Sequence, residues 1–216
     1  MSSTGQVYAW GANGAGELGN GSISNLPDPA PALVRLPAGV QVTAVTAGED
    51  DSLAVTALGQ VFGWGQESFG SLGNGRDSGL APLPVRTLLP PGFRVRRVFA
   101  GCFHTLAVTT GGLVLAWGDN GDGQLGNGNA RQGDSVVPVR VRIPQGLPVT
   151  AVGGGCVHSV AVTARGLMFA WGANEFLGNG STRDSALPEL VRLPAGRVAI
   201  GTGGAAVADF SLALLR

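Results

Sequence analysis

Lysine is absent from this chain of 216 residues, so its 14 cations are all arginine, and 14 carboxylates bring the formal net charge to zero. Charged residues make up 13% of the chain, about half the ~25% of ordinary domains. The arginines are scattered, and only Arg94, Arg96 and Arg97 form a dense cluster. A broad nucleic-acid or membrane-surface footprint needs clustered positive charge, so neither partner is expected. No apolar run reaches the ~18 residues of a membrane-spanning helix, and no basic-then-apolar leader opens the chain. Two cysteines are too few for a disulfide framework, so a reduced, cytoplasmic protein is the expectation. Helical periodicity is missing as well: no segment holds apolar residues at three- and four-residue spacing for three turns.

What the chain has in excess is glycine, 37 residues of 216, with 44% of residues hydrophobic. That much apolar content argues for turns needing positive φ rather than for disorder. The glycines recur in order. Trp-Gly stands at Trp10, Trp64, Trp117 and Trp171, at spacings of 54, 53 and 54 residues, and uses every tryptophan of the chain. Leu-Gly-Asn-Gly follows in step from Leu18, Leu72, Leu125 and Leu177. A fixed period near fifty residues marks a repeat architecture.

Each period reads as strands and turns. In the first, Gln6–Trp10 is a strand, residues 11–25 a glycine-rich loop, residues 26–31 a proline-rich connection and Ala32–Leu36 an outer strand. Val40–Val45 and Ser52–Thr56 follow, and a short hairpin at Gly59 leads to Val61–Trp64, where the cycle restarts. The hairpin strands carry small or apolar groups on both faces, so both faces are buried. Small four-stranded sheets standing side by side satisfy that, which gives an all-β fold, a β-propeller of four-stranded blades. The chain is read as one domain, residues 1–216, with blades at about 40–92, 93–147, 148–196, and 197–216 joined with 5–39. The strand Ser211–Leu215 lacks its hairpin partner, and Gln6–Trp10 lacks a strand before it, so the two termini are expected to pair and close the ring. Closure within a monomer is favoured over two chains exchanging terminal strands.

The combination Gly-x-Val-x-Ala-Trp-Gly, Leu-Gly-Asn-Gly and Ala-Gly-x-x-His-x-Leu-Ala-Val-Thr resembles the regulator of chromosome condensation repeat, most fully at residues 100–108 and 154–162. The resemblance covers essentially the whole chain. It implies a propeller usually built of about seven repeats, whose members include guanine-nucleotide exchange factors for small GTPases, a propeller inhibitor of β-lactamase and binding proteins. It is specific for fold and weak for function.

The residues narrow the choice. Cys102-x-His104 and Cys156-x-His158 offer zinc-type ligands, yet they are one position in consecutive repeats, matched by Asp51 and Phe210 elsewhere. His104 and His158, like the four tryptophans, are therefore read as structural, and the cysteines as unbonded. Asp119-Asn120-Gly121-Asp122-Gly123 resembles the start of a calcium loop, but Ala130 stands where the glutamate is required. The glycine-rich loops lack Gly-Lys-Ser/Thr, which excludes a phosphate cradle of that type. No separate base and orienting group accompany the repeat serines, so no enzyme, metal or cofactor is expected. Binding is assigned to positions that differ between copies: Asp50, Phe69, Arg76, Asp77, Arg94, Arg96, Arg97, Phe103, Arg131, Asp134 and Phe176. The expected function is a non-catalytic protein-binding scaffold or adaptor. Exchange-factor or inhibitor activity is the alternative, and the even repeat lengths leave no room for the wedge-like insertion that exchange factors use.

Overall fold

The computed structural model of the chain describes residues 5–129, 133–203 and 210–216. Three complete four-stranded antiparallel sheets form the middle of the molecule. The first contains β3 (Val42–Ala47), β4 (Asp51–Thr56), β5 (Val61–Gln66) and β6 (Leu80–Arg86). The second contains β7 (Val95–Ala100), β8 (His104–Thr109), β9 (Val114–Gly118) and β10 (Ser135–Arg140), and the third β11 (Val149–Gly154), β12 (His158–Thr163), β13 (Met168–Gly172) and β14 (Ser185–Leu190). A two-stranded sheet stands at each end: β1 (Tyr8–Asn13) with β2 (Ser24–Leu33), and β15 (Ala199–Gly203) with β16 (Leu212–Leu215). The first strands of successive sheets, β3, β7, β11 and β15, lie against one another.

The outermost strands begin earlier than the sequence suggests. β2 runs through Pro27, Pro29 and Pro31, a stretch expected to be a connection. Proline lacks an N–H, but on an edge strand one side of the backbone has no ladder to serve. Irregular register with β1 accommodates the rest.

Between sheets lie four apolar cores. Val7, Val34, Val42, Ala54 and Trp64 join the first half-blade to the first sheet. Leu53, Val55, Leu115 and Trp117 sit in the second core, and Leu106, Val108, Leu125 and Trp171 in the third. Val160, Val162, Met168 and Leu177 form the core against β15. Burying each such side chain contributes roughly 1.5–3 kcal/mol, so blades are held by their neighbours as much as by their own ladders.

The tryptophans latch each joint. Trp64 Nε1 donates to the Glu17 carbonyl, Trp117 Nε1 to that of Ser71 and Trp171 Nε1 to that of Gln124, each at 2.7 Å. The acceptor is always the residue before Leu-Gly-Asn-Gly in the preceding repeat. The first glycine of that element explains itself here: a Cβ on Gly19, Gly73 or Gly126 would lie 2.9 Å or less from the next tryptophan's ring. The glycine of Trp-Gly has a separate reason. Gly65, Gly118 and Gly172 have φ between 101° and 106°, and a Cβ there would meet the carbonyl of Asp50, Phe103 or Val157 within 2.4 Å.

The expected pairing of the terminal strands is not made. β1 pairs with β2 and β16 with β15, and no ladder joins β1 to β16 among the described residues.

Candidate functional site

Register places the variable turns at one end of the sheets. Ala47 faces Ser52 across β3–β4, and Asp51 and Gln66 face Gly65 and Leu80 across β4–β5 and β5–β6. The turn at residues 48–50 and the loop at residues 67–79 therefore emerge side by side, and the later repeats copy this arrangement. The turns abut along the inner strands: a Cβ on Gly48 would touch the Gly101 carbonyl, and one on Gly101 the Gly155 carbonyl.

This loop face collects most of the sequence candidates. Asp50, Phe69, Arg76, Asp77, Phe103, Asp134 and Phe176 all lie in its turns. The ring of Phe69 packs against Phe103 with centroids 5.2 Å apart, and Phe176 stacks on His158 at 4.9 Å. Phe69 is 43% exposed and has φ 58°, the only positive φ outside glycine among the described residues. Holding a bulky side chain in the left-handed region is costly, and such outliers gather where shape serves recognition. Arg76 reaches buried Glu67 at 3.6 Å. The Asp134 carboxylate accepts from the Asn120 N–H. Phe103 and Phe176 are half-buried, so they fill joints as well as face outward.

The arginine cluster is not part of that face. Arg96 and Arg97 stand on the inner strand β7, and Arg94 precedes it at the opposite end of the sheet. The Arg96 guanidinium donates to the Val149 carbonyl of the neighbouring blade at 2.7 Å, which makes it a strut between blades. Arg131 lies outside the described residues.

Charge is unevenly divided. Glu49 and Asp50 occupy the first turn, Asp119, Asp122 and Asp134 the third loop, and Glu175 and Asp184 the fourth. The cations on the same face are Arg76 and Arg183 among the described residues. Burial raises the Asp119 carboxyl above the usual range, and Asp134 and Asp122 push it further. Partial burial raises Asp122 too, and Asp184 adds to it. The carboxylates repel one another across the loops.

His104 and His158 are buried at the joints. His104 Nε2 lies 2.9 Å from Ser159 Oγ, and His158 Nε2 lies 2.7 Å from Ser211 Oγ, each serine belonging to the next repeat. Ser159 gives its one proton to the Gln124 carbonyl at 2.8 Å, so it accepts from His104 Nε2–H. A nucleophilic serine needs the reverse, its proton passing to the imidazole. Burial lowers the His104 pKa to about 3, assisted by His158 and opposed by a backbone hydrogen bond with Cys156. The ring is neutral at ordinary pH.

One expectation is overturned. Cys102 and Cys156 are not free: they form a disulfide between adjacent turns, with Cα atoms 4.6 Å apart. Equivalent positions of neighbouring blades come close at the inner strands, a proximity that a sequence separation of 54 conceals. With both cysteines bonded, their number no longer argues for a reducing compartment. Protein purified without reductant should show no titratable thiol after denaturation, and two after reduction. Two thiols before reduction would mean the bond is absent in solution.

The sequence profile of the Regulator of chromosome condensation (RCC1) repeat matches residues 4–55, 59–108 and 111–162. The chain belongs to the regulator of chromosome condensation repeat family. Among curated relatives of this repeat family, the probable E3 ubiquitin-protein ligase HERC6 of Homo sapiens is 35% identical over 79% of this chain and 16% of its own length. The ultraviolet-B receptor UVR8 of Arabidopsis thaliana is 37% identical over 81% of this chain and 39% of its own length. Human WBSCR16 superposes on the whole chain with TM-score 0.84 and 26% identity, and this chain covers 55% of it. Yeast RCC1 (Prp20), solved bound to Kap60, superposes on 94% of the chain with TM-score 0.78 and 23% identity, and 48% of it is covered. The chain thus spans less than half the length of these curated relatives and about half that of the solved structures.

Proposed function

We propose that this chain is a non-catalytic protein-binding scaffold whose acidic loop face receives a basic surface of a partner protein. The observation that carries this reading is the gathering of carboxylates in the turns, with Asp119 raised by burial and by Asp134 and Asp122, and Asp122 by burial and by Asp184. A basic partner relieves that repulsion, which makes association favourable and sensitive to salt. Phe69 and Phe103 supply an apolar anchor beside the acidic turns, the pairing of aromatic centre and charged rim that interface hot spots use. The direction of the Ser159–His104 hydrogen bond supports a structural rather than a nucleophilic role for the joints. Yeast RCC1 (Prp20), which shares this fold, is bound to Kap60 in its solved structure. Among the described residues, no feature of this face singles out nucleotide exchange.

Partner capture on the immobilised chain, followed by calorimetry with the recovered protein, tests the reading. Binding should weaken as salt rises from about 50 to 500 mM, since the Debye length shrinks several-fold over that range. Glu49→Gln combined with Asp122→Asn should weaken it further and flatten the salt dependence. Phe69→Ala should reduce affinity while the melting temperature stays within about 2 °C. A partner that binds equally well at both salt concentrations and ignores all three changes would refute the acidic face.

A further inference from the structure

Neighbouring sheets of this molecule are joined by one set of contacts, and a single joint among the described residues adds a covalent bond to them. Between the first and second sheets, Trp117 Nε1 donates to the Ser71 carbonyl at 2.7 Å and the Gly75 N–H to the Val136 carbonyl at 2.9 Å. Between the second and third, Trp171 Nε1 donates to the Gln124 carbonyl at 2.7 Å and the Gly128 N–H to the Ala186 carbonyl at 2.9 Å. The Cys102–Cys156 bond crosses the second of these joints only. Glu49 holds the same place in the turn of the first sheet, so Cys102 has no thiol to meet on that side. One joint closes without the bond through the contacts that the other repeats. The bond is therefore dispensable for holding sheets together.

The two sulfurs are unequally placed. Cys102 is 4% exposed and shares a narrow cleft with Asp50, Gln66, Ser68 and Phe103. Cys156 is half-buried, in a turn whose next residue, Val157, is half-buried as well. A disulfide opens when a thiolate approaches one of its sulfurs from the side opposite the other. Packing closes that approach to Cys102, and the Asp50 carboxylate repels an incoming anion. Cys156 is left as the point of attack. The bond also sits beside the aromatic anchor of the loop face. Phe103 follows Cys102 in the chain, and its ring lies 5.2 Å from that of Phe69. His104, two residues from Cys102, meets Ser159 Oγ at 2.9 Å across the same joint.

We propose that Cys156 is a thiol-exchange site, at which a small soluble thiol opens the Cys102–Cys156 bond of the folded chain and forms a mixed disulfide. The incoming thiolate attacks Cys156 Sγ, the bond to Cys102 breaks, and Cys102 leaves as a thiolate that takes a proton from water. No electrons are gained or lost in this step, since one disulfide replaces another. A second thiolate attacking the adduct's outer sulfur releases Cys156 and carries off the small disulfide, which leaves both cysteines reduced. In the reverse direction the Cys102 thiolate attacks Cys156 Sγ of the adduct and expels the small thiol. The joint favours that return, because its other contacts keep the two Cα atoms near their 4.6 Å separation. While the bond is open, the turn at residues 101–103 is no longer tied to the turn at residues 155–157, and Phe103 loses its fixed place against Phe69. The loop face thus has two covalent states, set by the thiols around it.

The test exposes the folded, oxidised chain to about 5 mM reduced glutathione at about pH 8, where an appreciable share of that thiol is thiolate. Samples are quenched in acid, remaining thiols are alkylated, and the peptides are weighed by mass spectrometry. Glutathione should be found on Cys156 at least about tenfold more often than on Cys102, with the alkyl group on Cys102. Circular dichroism should stay unchanged, and amide hydrogen exchange should quicken at residues 101–104 and 155–158 while β8 and β12 stay protected. Low urea separates this from a buried staple. A bond reached only through unfolding reacts at the unfolding rate, which rises steeply with urea, and a bond attacked in the folded chain does not follow it. Single variants check the choice of sulfur. Cys102→Ser should take glutathione from its disulfide at least about tenfold faster than Cys156→Ser, both folded by circular dichroism. Equal labelling of the two sulfurs, reaction only on unfolding, unchanged exchange at the turns, or two free thiols in the untreated chain overturns the proposal.

Discussion

Trp117→Ala is expected to lower the unfolding free energy by about 3–5 kcal/mol, the cost of truncating a large buried aromatic. Its ring is fully buried, and its Nε1 holds the Ser71 carbonyl of the preceding repeat at 2.7 Å. Thr105 donates to the same carbonyl at 3.0 Å, so the backbone at Ser71 is not orphaned when the indole is lost. The loss falls instead on packing: Gly73 was shaped for the ring, and Leu53, Val55 and Leu115 share its core. Because that core lies between two blades, the variant should separate the sheets rather than melt one of them. Trp10→Ala is the control. It should change stability by less than about 0.5 kcal/mol, since Trp10 is already 63% exposed. Denaturant midpoints of both variants measure the contrast. Equal losses for the two would mean that Trp117 does not latch a joint.

The repeat made this core legible in the sequence. Four tryptophans at even spacing, each followed by glycine, announce one structural position used four times, and the structure gives three of them equivalent acceptors in the preceding repeat. Alternation in Leu106-Ala107-Val108 likewise revealed strands buried on both faces. What spacing conceals is contact between repeats. Cys102 and Cys156 read as two isolated thiols because a period of 54 looks like distance, although in stacked blades equivalent positions are neighbours. The prolines of residues 26–31 read as a breaker because edge and centre strands share one sequence grammar until the sheet order is known. The acidic face was half visible. Its carboxylates are spread over the sequence among arginines, and only the antiparallel register brings them together at one end of the sheets.

The last expected result joins the first and second repeats through pH. Asp51 occupies the position held by histidine in the next two repeats, and burial, with Asp50 nearby, raises its pKa to about 7 against the lowering by hydrogen bonds with Ser71 and the Gly48 backbone. Between its ordinary value of 3.8 and about 7 the folded chain keeps a proton there that the unfolded chain releases. Stability contributed by the neutral acid is therefore fully present below pH 3.8 and is lost as pH rises through 7. His104 has the opposite slope. Its folded pKa of about 3 lies below the ordinary 6.5, so the unfolded chain binds the extra proton in that window and acidification from neutrality destabilises the fold. The two slopes overlap and largely offset each other in the parent. Asp51→Asn removes one of them. The gain in stability of this variant over the parent should grow from near its minimum at pH 4 to a plateau above pH 7, rising by about 4 kcal/mol if the full shift of about three units is expressed. Asp119 and Asp122, raised as well, remain in both proteins and drop out of the difference. Denaturant unfolding of parent and variant at about pH 4, 5.5, 7 and 8 reads it directly. A difference that stays constant across that range would show that Asp51 titrates alike in the folded and unfolded chains and is not shielded at the first joint.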